Sequence, residues 1–150
     1  MVTRTFSKIH GLAGLRVGFG YCPTAVIEAI DRIRLPFNVN LPAQYAAVAA
    51  LSDHFHIEAS RTQILTWHPR LVQEIRALGF TVNKSIGNFV LIHFKDADEA
   101  VRANQSLMKQ GIIVRHVANY GLPQCLRITI GRDEENRAFL EALGRFAAEL

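Results

Sequence analysis

Lys8 is the residue whose setting most invites chemistry. It follows Thr5 and Ser7 and stands just before Gly11, Gly14 and Arg16. A lysine amine becomes a nucleophile, able to form a Schiff base, when burial or a neighbouring cation keeps it neutral at working pH. Two hydroxyls and a guanidinium close by are the donors a phosphate dianion takes. Arg16 would supply a charge-assisted bond, and Thr5 and Ser7 neutral ones. On spacing alone, a solvated lysine beside a glycine turn is the commoner explanation of the same residues.

The other chemistry-bearing residues form no recognisable constellation. His54 and His56 are two apart, so on a helix they face different directions, and no His-Glu-x-x-His pattern accompanies them. Asp96 and Asp98, and the run Asp133, Glu134 and Glu135, stand where helices begin, and capping explains them. There is no Gly-x-Ser-x-Gly elbow and no P-loop. The glycines from Gly11 to Gly20 precede a strand instead of following one, which argues against a dinucleotide turn. Cys22 and Cys125 follow no metal or redox spacing, so the expectation is two reduced thiols in a cytoplasmic protein.

Composition agrees with a packed protein. Of 150 residues, 49% are hydrophobic and 20% charged, which sets the chain apart from disordered ones. The length suits one ordinary domain or two small lobes. The net charge of +4 is scattered, with no basic run and no aromatic-basic signature, so nucleic acid is not an expected partner. No apolar stretch approaches a membrane span, and Arg4, Lys8 and His10 break up any secretory core. No membrane partner is expected either.

The elements that would position these residues follow from pattern. Val17, Phe19 and Tyr21, alternating with Gly18 and Gly20, predict a short buried strand over 16–21 with close backbone approach. A helix follows over 24–34, with Val26, Ile27, Ile30 and Ile33 on one face, stopped at Pro36. An Ala-rich helix spans 43–51. A long helix spans 61–78, kinked or split by Pro69 and ended by Gly79. Strands are expected at 80–82 and 88–94, then a helix at 96–110 with Ala97, Ala100, Val101 and Leu107 inward. Further strands fall at 112–114 and 126–130. The closing helix, 133–150, carries Phe139, Leu140, Leu143 and Phe146 along one stripe. The second half therefore reads β-β-α-β-β-α, and the fold class is α/β. The first half has too few strands for a sheet of its own, like the end of a larger domain.

The run Thr5-x-Ser7-Lys8-x-x-Gly11-Leu12-Ala13-Gly14-Leu15-Arg16-Val17-Gly18 resembles the lysine segment of the fold-type I, pyridoxal-phosphate-dependent aminotransferases of class I/II. Within them it is most similar to the histidinol-phosphate branch. Pro36-Phe37-Asn38-Val39-Asn40, Gly87-Asn88-Phe89-Val90, Val114-Arg115, Asn119-Tyr120-Gly121-Leu122-Pro123 and Leu126-Arg127-Ile128-Thr129-Ile130-Gly131 carry the likeness to the far end of the chain. His116 departs from it, standing where a proline is expected, which would loosen the loop that follows.

The resemblance implies specific roles. Lys8 would hold pyridoxal 5'-phosphate as a Schiff base and act as the general base that moves the proton. Thr5, Ser7 and Arg16 would bind the cofactor phosphate. Arg127 would match the arginine that in most of the superfamily grips the substrate carboxylate and in this branch, with Arg115, the substrate's phosphate; Asn88 would line the substrate side or cap a strand turn. Tyr120 is expected to be a packing residue. The implied reaction takes histidinol phosphate and 2-oxoglutarate to imidazole-acetol phosphate and glutamate. Another class I/II aminotransferase, or a threonine-phosphate decarboxylase, is the alternative. The implied domains are 1–78, the end of the large cofactor-binding domain with its linking helix, and 79–150, the small C-terminal α/β domain. The family implies a homodimer. Its members are more than twice this long, so the likeness is to their C-terminal part, and the chain alone is expected to be inactive.

Overall fold

In the computed structural model, which describes residues 1–150, the chain packs as two units, Met1–Arg61 and Thr62–Leu150. The first opens with a two-stranded antiparallel ribbon, β1 (Val2–Thr5) against β2 (Gly18–Tyr21), in which Thr5 faces Gly18. Phe6 N–H donates to the Val17 carbonyl at 3.2 Å and extends the ladder by one step. Helices α1 (Thr24–Asp31) and α2 (Leu41–Ser52) follow. Asn40 caps α2 by accepting from Ala43 N–H at 2.8 Å. The unit's core is small: Phe6, Val17, Ala43 and Ala47, with Leu12, Leu15, Val39 and Ala50 against it.

Helix α3 runs His54–Ala77 as one element with Pro69 inside it. It starts earlier than expected, and proline does not split it. The carbonyl that a proline at 69 leaves unpaired belongs to Leu65, which is exposed, so water can satisfy it. The division between the packing units falls inside α3, while the sequence-based boundary at 78/79 follows the helix's end. Trp67, Leu71 and Ile75 of α3 belong to the second unit's core.

That second unit holds a four-stranded antiparallel sheet in the order β3-β4-β6-β5, formed by β3 (Thr81–Val82), β4 (Phe89–His93), β5 (Arg115–His116) and β6 (Cys125–Thr129). Helix α4 (Ala97–Lys109) connects β4 to β5, with β6 inserted between them, a split βαβ. Helix α5 (Asp133–Ala147) closes the chain. Alternation fixes which face is covered. Val90 and Ile92 of β4 and Leu126 and Ile128 of β6 are buried together with Ala100, Ala103 and Leu107 of α4 and Phe139, Leu143 and Phe146 of α5. The other face therefore carries Phe89, Leu91 and His93 of β4, Arg127 and Thr129 of β6 and, by register, Arg115 of β5.

Several expectations need correction. The strand expected over 16–21 is not buried: β2 is exposed along its length because it pairs only with β1 and just Val17, before it, reaches the core. Its close backbone approach is real: a Cβ on Gly18 would lie 2.6 Å from the Arg4 carbonyl oxygen. The strand expected at 112–114 lies instead at Arg115–His116, since only there does the backbone come into register with β6. In α4, Val101 is exposed and Ala103 takes the inward position. Val26, Ile27, Ile30 and Ile33 are all exposed in this unit.

Candidate active site

The loop joining β1 to β2 carries Thr5, Ser7, Lys8 and Arg16, and the ribbon brings its two ends together. Because Thr5 faces Gly18 and Phe6 bonds to Val17, Thr5 and Arg16 leave the ladder at the same end. The loop is shaped by its own backbone. Gly11 N–H donates to the Lys8 carbonyl at 2.9 Å, and Leu12 N–H to the Phe6 carbonyl at 3.0 Å. Gly11 has φ +71°, a conformation open to glycine at little cost. Arg16 adopts φ 53° after a short 3-10 turn, Ala13–Leu15, and one guanidinium nitrogen donates to the Ala13 carbonyl at 2.6 Å. That bond anchors the side chain and leaves its other donors free.

Thr5 Oγ1 accepts from Ser7 N–H at 3.0 Å, so its hydroxyl proton remains available to a ligand. Lys8 is exposed, and neither it nor Arg16 has a carboxylate partner. No acidic residue lies between Thr5 and Arg16. The donor set is therefore an uncompensated amine, a guanidinium and two hydroxyls, which fits a phosphate-bearing carbonyl cofactor.

The second group lies in the second unit. Arg115 and Arg127 are directly opposite one another on β5 and β6. Cross-strand partners hold their Cβ atoms about 4.5–5.5 Å apart, and like charges so placed are destabilising. Neither arginine forms a salt bridge. Each rests on an aromatic ring instead: the Arg127 guanidinium is 5.2 Å from the centre of Phe89, and that of Arg115 is 5.5 Å from the centre of Tyr120. The Nε of Arg127 is buried with no hydrogen-bond partner. A buried donor left unpaired costs free energy that an acceptor would recover. Asn88 sits just before β4, exposed, with its carbonyl accepting from Ile130 N–H at 3.0 Å.

Tyr120 is not a packing residue. It is exposed, and its Oη accepts a hydrogen bond from the Arg115 guanidinium at 3.2 Å. Nor does His116 loosen the loop: its Nε2 lies 2.6 Å from the Pro123 carbonyl and ties the two ends of the β5–β6 connection. Among the acidic groups, Asp96 caps α4 as expected, accepting from Glu99 N–H at 2.8 Å. Asp133 does more than suit a helix start. It accepts from the Trp67 indole and the Gln63 amide, and these bonds hold its carboxyl below the usual range. Nowhere do three His, Cys, Asp or Glu side chains group closely enough to hold a metal ion, and no helix is long and apolar enough to cross a membrane.

The chain matches aminotransferase class I and II over residues 1–143 and belongs to that family. It is 50% identical, over 151 aligned positions, to histidinol-phosphate aminotransferase of Rhodopseudomonas palustris strain BisB18, covering 99% of this chain and 41% of the relative. Histidinol-phosphate aminotransferase 1 of Caulobacter vibrioides is 51% identical over 97% of this chain and 41% of its own length. Among solved structures, the Sinorhizobium meliloti histidinol-phosphate aminotransferase in complex with pyridoxal-5'-phosphate superposes with a TM-score of 0.88 at 32% identity, covering 98% of this chain and 41% of that one. The chain thus spans about two fifths of the length of the curated relatives it matches. Pyridoxal phosphate is the cofactor of the family.

Proposed function

We propose that the chain is the C-terminal part of a pyridoxal-phosphate-dependent histidinol-phosphate transaminase, with 2-oxoglutarate as amino acceptor. The observation that carries this reading is the Arg115–Arg127 pair, two permanent charges in register with no carboxylate between them. Such a pair suits a phosphate ester on the substrate better than a single carboxylate. Identity near 50% to proteins named for that reaction supports the same choice over a decarboxylase of phosphothreonine. We place the reaction in the cytoplasm and in a homodimer, as the relatives' biosynthetic role and the symmetry of such enzymes favour.

In this reading the chain's residues divide the work. Lys8 Nζ would be the covalent anchor and, once free, the base that takes the proton from the amine-bearing carbon. Thr5, Ser7 and Arg16 hold the cofactor phosphate. Arg115 and Arg127 hold the substrate phosphate and orient its amine, and Asn88 lines the approach. The cofactor, when bound, supplies an electron sink for the carbon that loses its proton. The whole protein performs this cycle, and the 150-residue chain alone does not.

The test is to add pyridoxal phosphate to the pure chain, trap with borohydride and map the adduct by mass spectrometry. The expected result is a single major adduct at Lys8, absent in Lys8→Ala and reduced in Arg16→Ala. Label spread evenly over Lys8, Lys84, Lys95 and Lys109 would refute the assignment of Lys8.

A further inference from the structure

The geometry points to Tyr120 as the positioning residue of Arg115, a neutral acceptor that aims this arginine without cancelling its charge. The inference rests on the reading of Arg115 and Arg127 as a phosphate-binding pair.

Arg115 stands on a two-residue strand at the edge of the sheet, and its side chain is exposed. A free arginine side chain has much rotamer entropy, which an unpinned residue surrenders on binding a ligand. Two contacts to one residue limit that freedom here. Tyr120 Oη accepts from Arg115 Nη2 at 3.2 Å, and the same ring lies 5.5 Å from the guanidinium carbon. A carboxylate in that place would hold the arginine more strongly but would compete with the anion the arginine is meant to take. A phenol accepts one hydrogen bond and leaves the remaining donors and the full charge in place.

The support behind Tyr120 is built for placement. It ends a 3-10 turn, Ala118–Tyr120, with its N–H donating to the Val117 carbonyl at 2.9 Å. Val117 is buried and fixes the start of the turn. Gly121 then takes φ +76°, which lets its N–H return to the Ala118 carbonyl at 3.0 Å. His116, beside Arg115, closes the connection onto Pro123. The loop thus returns Tyr120 to the side chain five positions earlier. Phe89 does less for Arg127, offering a ring and no acceptor.

The experiment follows the arginine side-chain Nε–H signals of the 15N-labelled 150-residue chain while inorganic phosphate is added. Four variants are compared: Tyr120→Phe, Tyr120→Leu, Tyr120→Gln and Tyr120→Glu, each with Trp67 fluorescence as the check on folding. Tyr120→Phe should weaken phosphate binding about three- to tenfold, the span for one lost hydrogen bond of ordinary net strength. Tyr120→Leu should weaken it further, and Tyr120→Gln should recover part of the loss by restoring a neutral acceptor. Tyr120→Glu should bind worse than Tyr120→Phe although it holds Arg115 in place, an ordering that a merely structural role would not give. Equal phosphate affinity in wild type, Tyr120→Phe and Tyr120→Leu overturns the role of Tyr120 alone. No phosphate response at either arginine in the wild-type chain overturns the phosphate-pair reading, and the inference with it.

Discussion

The facing arginines should repel each other measurably, and a double-mutant cycle can isolate that repulsion. The variants are Arg115→Gln, Arg127→Gln and the double substitution. Each single change also loses contacts to Tyr120 or Phe89, and the cycle cancels those terms. With Cβ atoms about 5 Å apart and the two side chains drawn to different rings, a charge separation of about 6 Å is reasonable. In a water-like dielectric of about 80, two unit charges at that distance repel by ~0.7 kcal/mol. The readout is urea unfolding followed by Trp67 fluorescence. Trp67 is the chain's one tryptophan and is 2% exposed in the core of the second unit, so it reports the body that holds both arginines. At about 10 mM salt the coupling should be unfavourable by ~0.7 kcal/mol, and at about 1 M it should vanish, because the screening length shrinks to ~3 Å. Phosphate at about a hundred times its dissociation constant should stabilise wild type by ~2.7 kcal/mol and the single variants much less, reversing the sign of the coupling. A coupling of zero, or an attractive one, at low salt without phosphate would refute the reasoning.

Three further perturbations test other parts of the structure. Gly18→Ala sets a Cβ 2.6 Å from the Arg4 carbonyl oxygen, so the ribbon must part there; the expected cost is about 1–3 kcal/mol, seen as faster hydrogen exchange of the amides shared by β1 and β2. Leu143→Ala empties a fully buried position of α5 and should destabilise the second unit by about 2–5 kcal/mol in urea, again by Trp67 fluorescence. Asp133 has a carboxyl held below its ordinary value by Trp67 and then Gln63, so its contribution is complete above about pH 4 and is lost as pH falls through the lower folded value. Asp133→Asn should therefore lower the second unit's stability at pH 7, and the gap from wild type should narrow as pH falls into the acid range; a gap independent of pH would contradict that account.

Lys8, Thr5, Ser7 and Arg16 were legible because they lie in one short segment, where spacing alone puts them on one loop. The β-β-α-β-β-α order was legible for a similar reason: α4 and α5 have strong one-sided apolar patterns, and Gly79 and Gly111 mark the ends of α3 and α4. Arg115 and Arg127 were singled out by resemblance, but nothing in the sequence says that they face each other. Their register depends on β6 pairing with β4 on one side and β5 on the other, a tertiary fact. The same blindness misplaced the edge strand, since Ile112, Ile113 and Val114 look more strand-like than Arg115 and His116, yet Ile113 is almost fully exposed. Tyr120 and His116 were misread because their partners, Arg115 and Pro123, become neighbours only when the loop closes. Asp133 looked like a helix-start residue and is one, but its bonds to Gln63 and Trp67 span most of the second unit's sequence.

The chain's two thiols stand one in each packing unit. Cys125 lies in β6, two residues before Arg127, fully buried, with its Sγ 3.3 Å from His93 Nδ1. Burial pushes its thiol up, so thiolate is scarce as well as hidden. Cys22 follows β2 and is only half-buried. An alkylating reagent therefore meets two clocks of different speed on one polypeptide. Modification at Cys22 needs no opening of a sheet and reads the exposure of the chain just after the ribbon that carries the lysine loop. Modification at Cys125 can proceed only when the strand bearing Arg127 peels away from its neighbours, so its rate counts the openings of the sheet itself.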